Sequence, residues 1–381
     1  MPPKKVLFLI NSLGTGGTER NVTMFCRHID RARFLPEVWI LNDSGTSEQS
    51  VRDSGIVVRN LGRRWARSPS FAIRTAWRIA RAKFDLIHAF LPTIASYAVL
   101  GRYLFGFEAP FYLSIPTTKF PNLMLEKLIS RYFTSCVDQV LVNSPSVGNY
   151  AAELGFAPQR THLVPNGHYI SPYQQEFDRA AIRADLRIGS RNKFLLCVGR
   201  LIPTKRITDL VEALRIVRLR YPQWRLVIIG DGPLLEQTQS QIAAAGLSDD
   251  IFLAGKGRDL IPILRSADLF VFPSEVEGLP NAVIEAGLAG LPIVACNAPG
   301  VKDVIQDGET GLLVETRNPQ ALAAAILDLL EHPDKANRFA ALAQQRMRAQ
   351  YSTENALECL YRAYDFGLQQ RTGRKVTAAT V

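Results

Sequence analysis

Short apolar runs alternate with longer amphipathic stretches along the chain, and the alternation occurs twice. In the first half the strand candidates are "KVLFLI", "EVWIL", "DLIH", "FYLSI", "QVLVN" and "THLVP", with helical patterns such as "ERNVTMFCRHI" and "NLMLEKLISRYF" between them. In the second half they are "FLLCVG", "RLVIIG", "IFLAG", "DLFVFP" and "PIVAC". Near-continuous apolar strands separated by helices predict parallel sheets covered on both faces. Two such halves predict an α/β chain of two Rossmann-like domains. The polar stretch "NGHYISPYQQEFDRA", broken by Gly167 and Pro172, marks the linker. The domains are therefore expected at residues 1–171 and 172–351, with a last helix at about 352–370 able to pack back on the first. The tail "RTGRKVTAATV" is polar and basic and is expected to fray. Ligands in such sheets bind beyond the carboxyl ends of the strands, so the expected site is a cleft that the two sheets face.

Composition narrows the class. Of 381 residues, 47% are hydrophobic and 21% charged, the balance of a globular protein. The five cysteines are scattered, odd in number and form no C-x-x-C pair. That pattern implies reduced thiols in a cytoplasmic protein and no zinc site. The apolar run Val6 to Ile10 is too short for a signal peptide, and "FLPTIASYAVLGRYLFGF" is broken by Pro92 and Arg102. The net charge of +10 is concentrated in the first half, where residues 1–171 hold 20 Lys/Arg against 11 Asp/Glu. Its densest part, Arg59 to Phe84, interleaves Arg63, Arg64, Arg67, Arg74, Arg78 and Arg81 with Trp65, Phe71 and Trp77. Such a stretch suits an anionic membrane surface or anionic acceptor. It also reads as a solvated helix whose aromatics face the core. Nucleic acid is not expected as a partner.

Three segments carry candidate chemistry. In "NSLGTGGTER", Gly16 and Gly17 precede a helix, so their amides and the helix dipole could meet a phosphate. The loop lacks the third glycine of the dinucleotide fingerprint, although Asp43 could mimic a ribose-binding acid and keeps an NAD-dependent dehydrogenase as an alternative. In "CVGRLIPTK", a strand ends at Val198, and Arg200 and Lys205 follow at its carboxyl edge, where a diphosphate could be held. In "SEVEGLPNAVIEAGLAGLPIVAC", Glu277 falls on a loop and Glu285 on a short helix, with Asn281 as its expected cap and Gly290 as its stop. A carboxylate accepts two hydrogen bonds and suits a vicinal diol, so Glu285 fits ribose hydroxyls and Glu277 those of a sugar. The amides of Gly278 and Leu279 are aimed at the same place. Taken singly, each glutamate reads equally as a solvated acid or a helix-start acid.

The chain resembles glycosyltransferase family 4, which has the GT-B fold. The resemblance covers nearly the whole length and is strongest from Phe194 to Val314, in "VGRLIPTKRITDLVEAL", "LVIIGDGPLLEQ", "IFLAGK", "FPSEVEGLPNAVIEAGLAGLPIVA" and "DGETGLLV". The E-x7-E element, Glu277 to Glu285, is its most specific motif, and "GTGGTERNV", "FDLIHAF" and "VPNGH" are similar to landmarks in the first half. The resemblance implies transfer of a hexose-type sugar from a UDP- or GDP-sugar to a glycan, lipid-linked or small-molecule acceptor, with retention of configuration. It implies no cofactor and no metal, Arg200 and Lys205 taking the role of magnesium. Contact of His88 with donor or acceptor stands beside a structural role for that histidine. The chain departs from the family pattern at Phe90 and at Ser114-Ile115-Pro116, where many members carry histidine, and at "PGVKD", which ends in Asp303. Without a convincing carboxylate nucleophile, the expected route is front-face attack, the leaving diphosphate accepting the acceptor's proton. A nucleotide-sugar epimerase of the same fold is the main alternative. Glycan or glycolipid synthesis at the inner face of a membrane is the expected setting.

Overall fold

The computed structural model describes residues 2–14, 16–41, 45–62, 68–120 and 123–378. Asp43 and the Arg63, Arg64, Trp65 and Arg67 part of the basic stretch lie outside the described residues. The chain divides into two compact units: unit 1 is Met1–Gly167 with Thr353–Val381, and unit 2 is His168–Ser352.

Unit 1 runs β1 (Lys4–Ile10), α1 (Gly17–His28), β2 (Phe34–Ile40), α2 (Glu48–Asp53), β3 (Val57–Asn60), α3 (Pro69–Arg81), β4 (Leu86–Ala89), α4 (Pro92–Phe105) and β5 (Phe111–Ile115). It continues with α5 (Leu123–Leu128), α6 (Thr134–Cys136), β6 (Gln139–Val142), α7 (Pro145–Glu153) and β7 (Thr161–Leu163). The strands form one parallel sheet in the order β3-β2-β1-β4-β5-β6-β7. The strand β3 was not predicted. It is a short strand at the sheet margin with a single buried residue, and its apolar run, Ile56 to Val58, is only three residues long. The run "NLMLEKLISRYF" is not one continuous α-helix, because Ile129–Phe133 form a π-helical turn that keeps Ile129 and Phe133 buried.

Unit 2 runs α8 (Arg179–Asp185), β8 (Lys193–Val198), α9 (Ile207–Arg218), β9 (Trp224–Ile229), α10 (Leu235–Ala244), β10 (Ile251–Gly255), α11 (Leu260–Ser266) and β11 (Leu269–Phe272). Then come α12 (Asn281–Leu288), β12 (Ile293–Cys296), α13 (Pro299–Val304), β13 (Leu312–Val314), α14 (Pro319–Glu331) and α15 (Pro333–Gln350). The sheet order is β10-β9-β8-β11-β12-β13, the doubly wound order of a dinucleotide-binding fold. The three-residue β13 is only half-buried and was also missed. The last helix, α16 (Thr353–Ala378), belongs to unit 1.

Each sheet is buried on both faces, which is why its strands read as apolar runs. In unit 1, one core holds residues of α3, α4 and α7, and the other holds residues of α1, α2 and α16. The strand order reverses between β1 and β4 in unit 1 and between β8 and β11 in unit 2. Loops leaving those strands diverge to opposite faces and leave a crevice beyond the carboxyl ends. Both sets of candidate residues sit at these two places. Among the described residues, no helix is long and apolar enough to cross a membrane.

Candidate active site

In unit 2, β8 ends at Val198, and the chain passes through Arg200 to a 3-10 turn, Pro203–Lys205, before α9. The loop after β11 lies against that turn: Ser274 Oγ and the Glu275 amide both donate to the Thr204 carbonyl, at 3.2 and 2.9 Å. These bonds bring Lys205 and Glu277 together, and Lys205 Nζ donates to Glu277 Oε1 in a pair only 18% and 12% exposed. Lys205 also lies over the Phe272 ring, 5.1 Å from its centroid. Arg200, by contrast, is exposed and makes no ion pair among the described residues.

The loop's far end is fixed by packing. Leu279 is buried in the unit 2 core. Gly300, in α13, lies against the carbonyls of Glu277 and Gly278, and a β-carbon there would collide with Gly278 O. Within the "PGVKD" departure, then, the glycine is what lets the loop and helix approach. The helix α12 begins with Asn281 as its first residue, not its cap. Pro280 holds the cap position, and no side chain caps the helix. Its end is as expected: Gly290 has φ +76°, and the Leu291 amide reaches the Ala286 carbonyl at 3.1 Å.

Glu285 is 4% exposed, on a helix buried on most sides. Its Oε1 lies 4.0 Å from His168 Nδ1. His168 is a residue the sequence reading missed as a site member; the signal was the "VPNGH" landmark, which was noted without assigning its histidine a role. A carboxylate this deep requires hydrogen-bond donors around it.

In unit 1, Gly16 caps α1 and Gly17 is its first residue, with Glu19 in the first turn. The Glu19 carboxylate lies against Gly16, so an arriving phosphate would have to share the helix start with it. His88 is fully buried on β4. Its Nδ1 bonds Tyr364 of α16 at 2.7 Å, and its Nε2 bonds Ser114 of β5 at 2.8 Å. Phe90 stacks on it with centroids 3.9 Å apart. Thus two of the departures from the family pattern, Phe90 and Ser114, are among the residues touching His88. Burial pushes the imidazole pKa down to about 3. The ring is neutral at pH 7, one nitrogen donating and the other accepting. Both ring nitrogens of His88 are thus engaged within the fold, to Tyr364 and Ser114. The pocket beside it is also lined by Thr18, Asn21, Asn143 and Asn166 and contains no charged side chain. Asn143 Oδ1 is buried there without a hydrogen-bond partner among the described residues.

All five cysteines are free, and burial pushes Cys26, Cys197 and Cys296 up to about 12, where a thiol is inert at neutral pH.

Comparison with known proteins gives the lineage. Residues 15–170 match the family model described as Glycosyltransferase Family 4, and residues 178–346 match glycosyl transferases group 1. The chain belongs to glycosyltransferase family 4. It is similar to the GDP-mannose-dependent alpha-(1-6)-phosphatidylinositol monomannoside mannosyltransferase of Mycobacterium tuberculosis, 32% identical over 219 residues, 55% of this chain and 57% of that one. It is also similar to the alpha-D-kanosaminyltransferase of Streptomyces kanamyceticus, 32% identical over 203 residues and 52% of each chain. The chain thus spans little more than half the length of the curated relatives it matches. Among solved structures, Anabaena HepE in complex with UDP and glucose superposes with a TM-score of 0.82 at 19% identity, covering 95% of this family 4 chain and 99% of that one. The likeness is one of fold, and the fold is GT-B.

Proposed function

We propose that this family 4 member transfers a hexose-type sugar from a nucleoside diphosphate sugar to a hydroxyl of a glycan, lipid-linked or small-molecule acceptor, retaining configuration and using no metal. The observation that carries the reading is the contact of Lys205 with Glu277 at the strand-order reversal of unit 2. Lys205 has three N–H donors: one holds Glu277 and the others are available to phosphate oxygens. Arg200 presents its planar fork from the end of the same strand. Glu277 then accepts sugar hydroxyls, with Gly278 and Leu279 offering amides beside it, and Glu285 accepts the ribose diol. The charge that grows on the leaving diphosphate is met by Arg200 and Lys205, so catalysis is electrostatic and positional. The diphosphate takes the acceptor's proton on the face it leaves, and no enzyme carboxylate attacks. The uncharged pocket of unit 1, about 30 Å³, has room for a single hydroxyl, from which Asn143 Oδ1 could accept a hydrogen bond.

The test is incubation with a panel of UDP- and GDP-sugars, following free nucleotide with and without sugar acceptors and with and without EDTA. Slow nucleotide release that is insensitive to EDTA and lost in Arg200→Ala supports the proposal. Interconversion of the sugar without nucleotide release would establish an epimerase, and a change in nicotinamide absorbance a dehydrogenase; either overturns it.

A further inference from the structure

One face of unit 1 lies outside the candidate site described above. The helices α3 and α4 and the π turn after α5 pack on the same side of the sheet, where Phe71, Ile79, Ile94, Ala98, Ile129 and Phe133 join one core. Their outward side is not the polar surface of solvated helices. On α3, Ile73 and Trp77 are 48% and 47% exposed; at the end of α4, Tyr103 is 81% exposed. Met124, Leu128 and Tyr132 follow at a spacing of four, all exposed. Of the sixteen large apolar side chains exposed among the described residues, half lie on these helices and the π turn.

The charge on this face is almost all of one sign: on α3, α4, α5 and the π turn, the one acid among the described residues is Glu126, half-buried and accepting from the Tyr150 hydroxyl. Arg74, Arg78 and Arg81 are exposed on α3, beside Trp77, and Lys127 and Arg131 are exposed beside Tyr132. Between Leu61 and Phe107 the only acid in the sequence is Asp85, and its carboxylate is taken by the Lys5 amide and Lys4. We propose that the outer face of α3, α4 and α5 docks on a bilayer carrying anionic lipid head groups. The arginines and lysines meet lipid phosphates, Trp77, Tyr103 and Tyr132 sit at head-group depth, and Ile73, Met124 and Leu128 reach the acyl boundary. A second copy of the chain would set arginine against arginine, which disfavours a symmetric dimer through this face. Exposed aliphatic Ile, Met and Leu contribute directly to lipid partition.

The test is flotation of the full chain with vesicles of phosphatidylcholine alone or with a minority of phosphatidylglycerol, at low and high salt. The chain is expected to float with the anionic vesicles at low salt, to be released by salt, and to stay behind with phosphatidylcholine alone. Arg74→Ala with Arg78→Ala is expected to lower partition about fivefold for each cation removed. Trp77→Ala with Tyr103→Ala is expected to lower it at both salt concentrations. The salt dependence of the parent chain needs no variant, so a misfolded variant does not decide the matter. Three outcomes overturn the proposal: no flotation with either vesicle, equal flotation with both, or a dimer in sedimentation that Trp77→Ala returns to monomer. The readout is binding, so it stands apart from whichever sugar is transferred.

Discussion

The two units share a strand order and place their candidate residues at the same topological point, yet the two sites are electrostatic opposites. In unit 2 the reversal between β8 and β11 holds a cation paired with a carboxylate and an exposed arginine nearby. In unit 1 the reversal between β1 and β4 leads to a buried, uncharged network of His88, Tyr364 and Ser114. The fold decides where a ligand binds, and the side chains decide what kind. On the proposed function, the charged site takes the diphosphate and the neutral one an acceptor hydroxyl.

This contrast can be broken most directly at Arg200. Arg200→Ala is expected to lower kcat by about a hundredfold to a thousandfold, with a smaller change in donor KM, if the arginine meets charge that develops late. An equal rise in KM with kcat unchanged would make it a ground-state binder. Next comes Glu285→Gln, which keeps the shape of the side chain. It is expected to weaken donor binding roughly tenfold to a hundredfold, read by calorimetry, because a charged hydrogen bond to the ribose contributes about 1.5–3 kcal/mol. Unchanged affinity would leave Glu285 as a partner of His168 alone.

Gly300→Ala sharpens the comparison from the packing side. The added methyl would push on Gly278, so donor affinity should fall together with about 1–3 kcal/mol of stability. The same substitution should leave the pH dependence of stability contributed by His88 of unit 1 unchanged. The smallest effect expected at neutral pH comes from His88. Its folded pKa lies below the unfolded value of 6.5, so the unfolded chain binds the extra proton between about pH 6.5 and 3. The neutral ring's contribution is complete above pH 6.5 and is lost as pH falls. By pH 5 the loss is about 2 kcal/mol, which denaturant titration of the parent chain against His88→Gln should show.

The unit 2 site was legible because its residues are close in sequence. The loop and helix from Pro273 to Leu288 follow a strand of four apolar residues, and the two glutamates fall where the turn and the first helical turns require. What could not be read there was the Lys205–Glu277 contact, which depends on two hydrogen bonds to the Thr204 carbonyl, from the Ser274 hydroxyl and the Glu275 amide, across 70 and 71 residues. Unit 1 was less legible. His88 was recognised, but its partners lie on β5 and on α16, the latter 276 residues away. The missed strands β3 and β13 are short and carry little buried surface, so tertiary pairing rather than local pattern creates them. Asn281 looked like a cap because of its residue type, but the preceding proline holds the extended conformation that the cap position requires.

Placing α16 in unit 1 has a consequence for biosynthesis. Tyr364 fills the space beside His88 and Tyr112, and the Tyr112 hydroxyl donates to the Ala363 carbonyl at 2.9 Å. The ribosome delivers this helix only after every residue of unit 2 has emerged. The earlier-made half must therefore wait, with the part of its β-sheet that α16 covers still bare, until the later-made half is out. A nascent chain halted at Ser352 should thus recruit holding chaperones that the finished protein does not need.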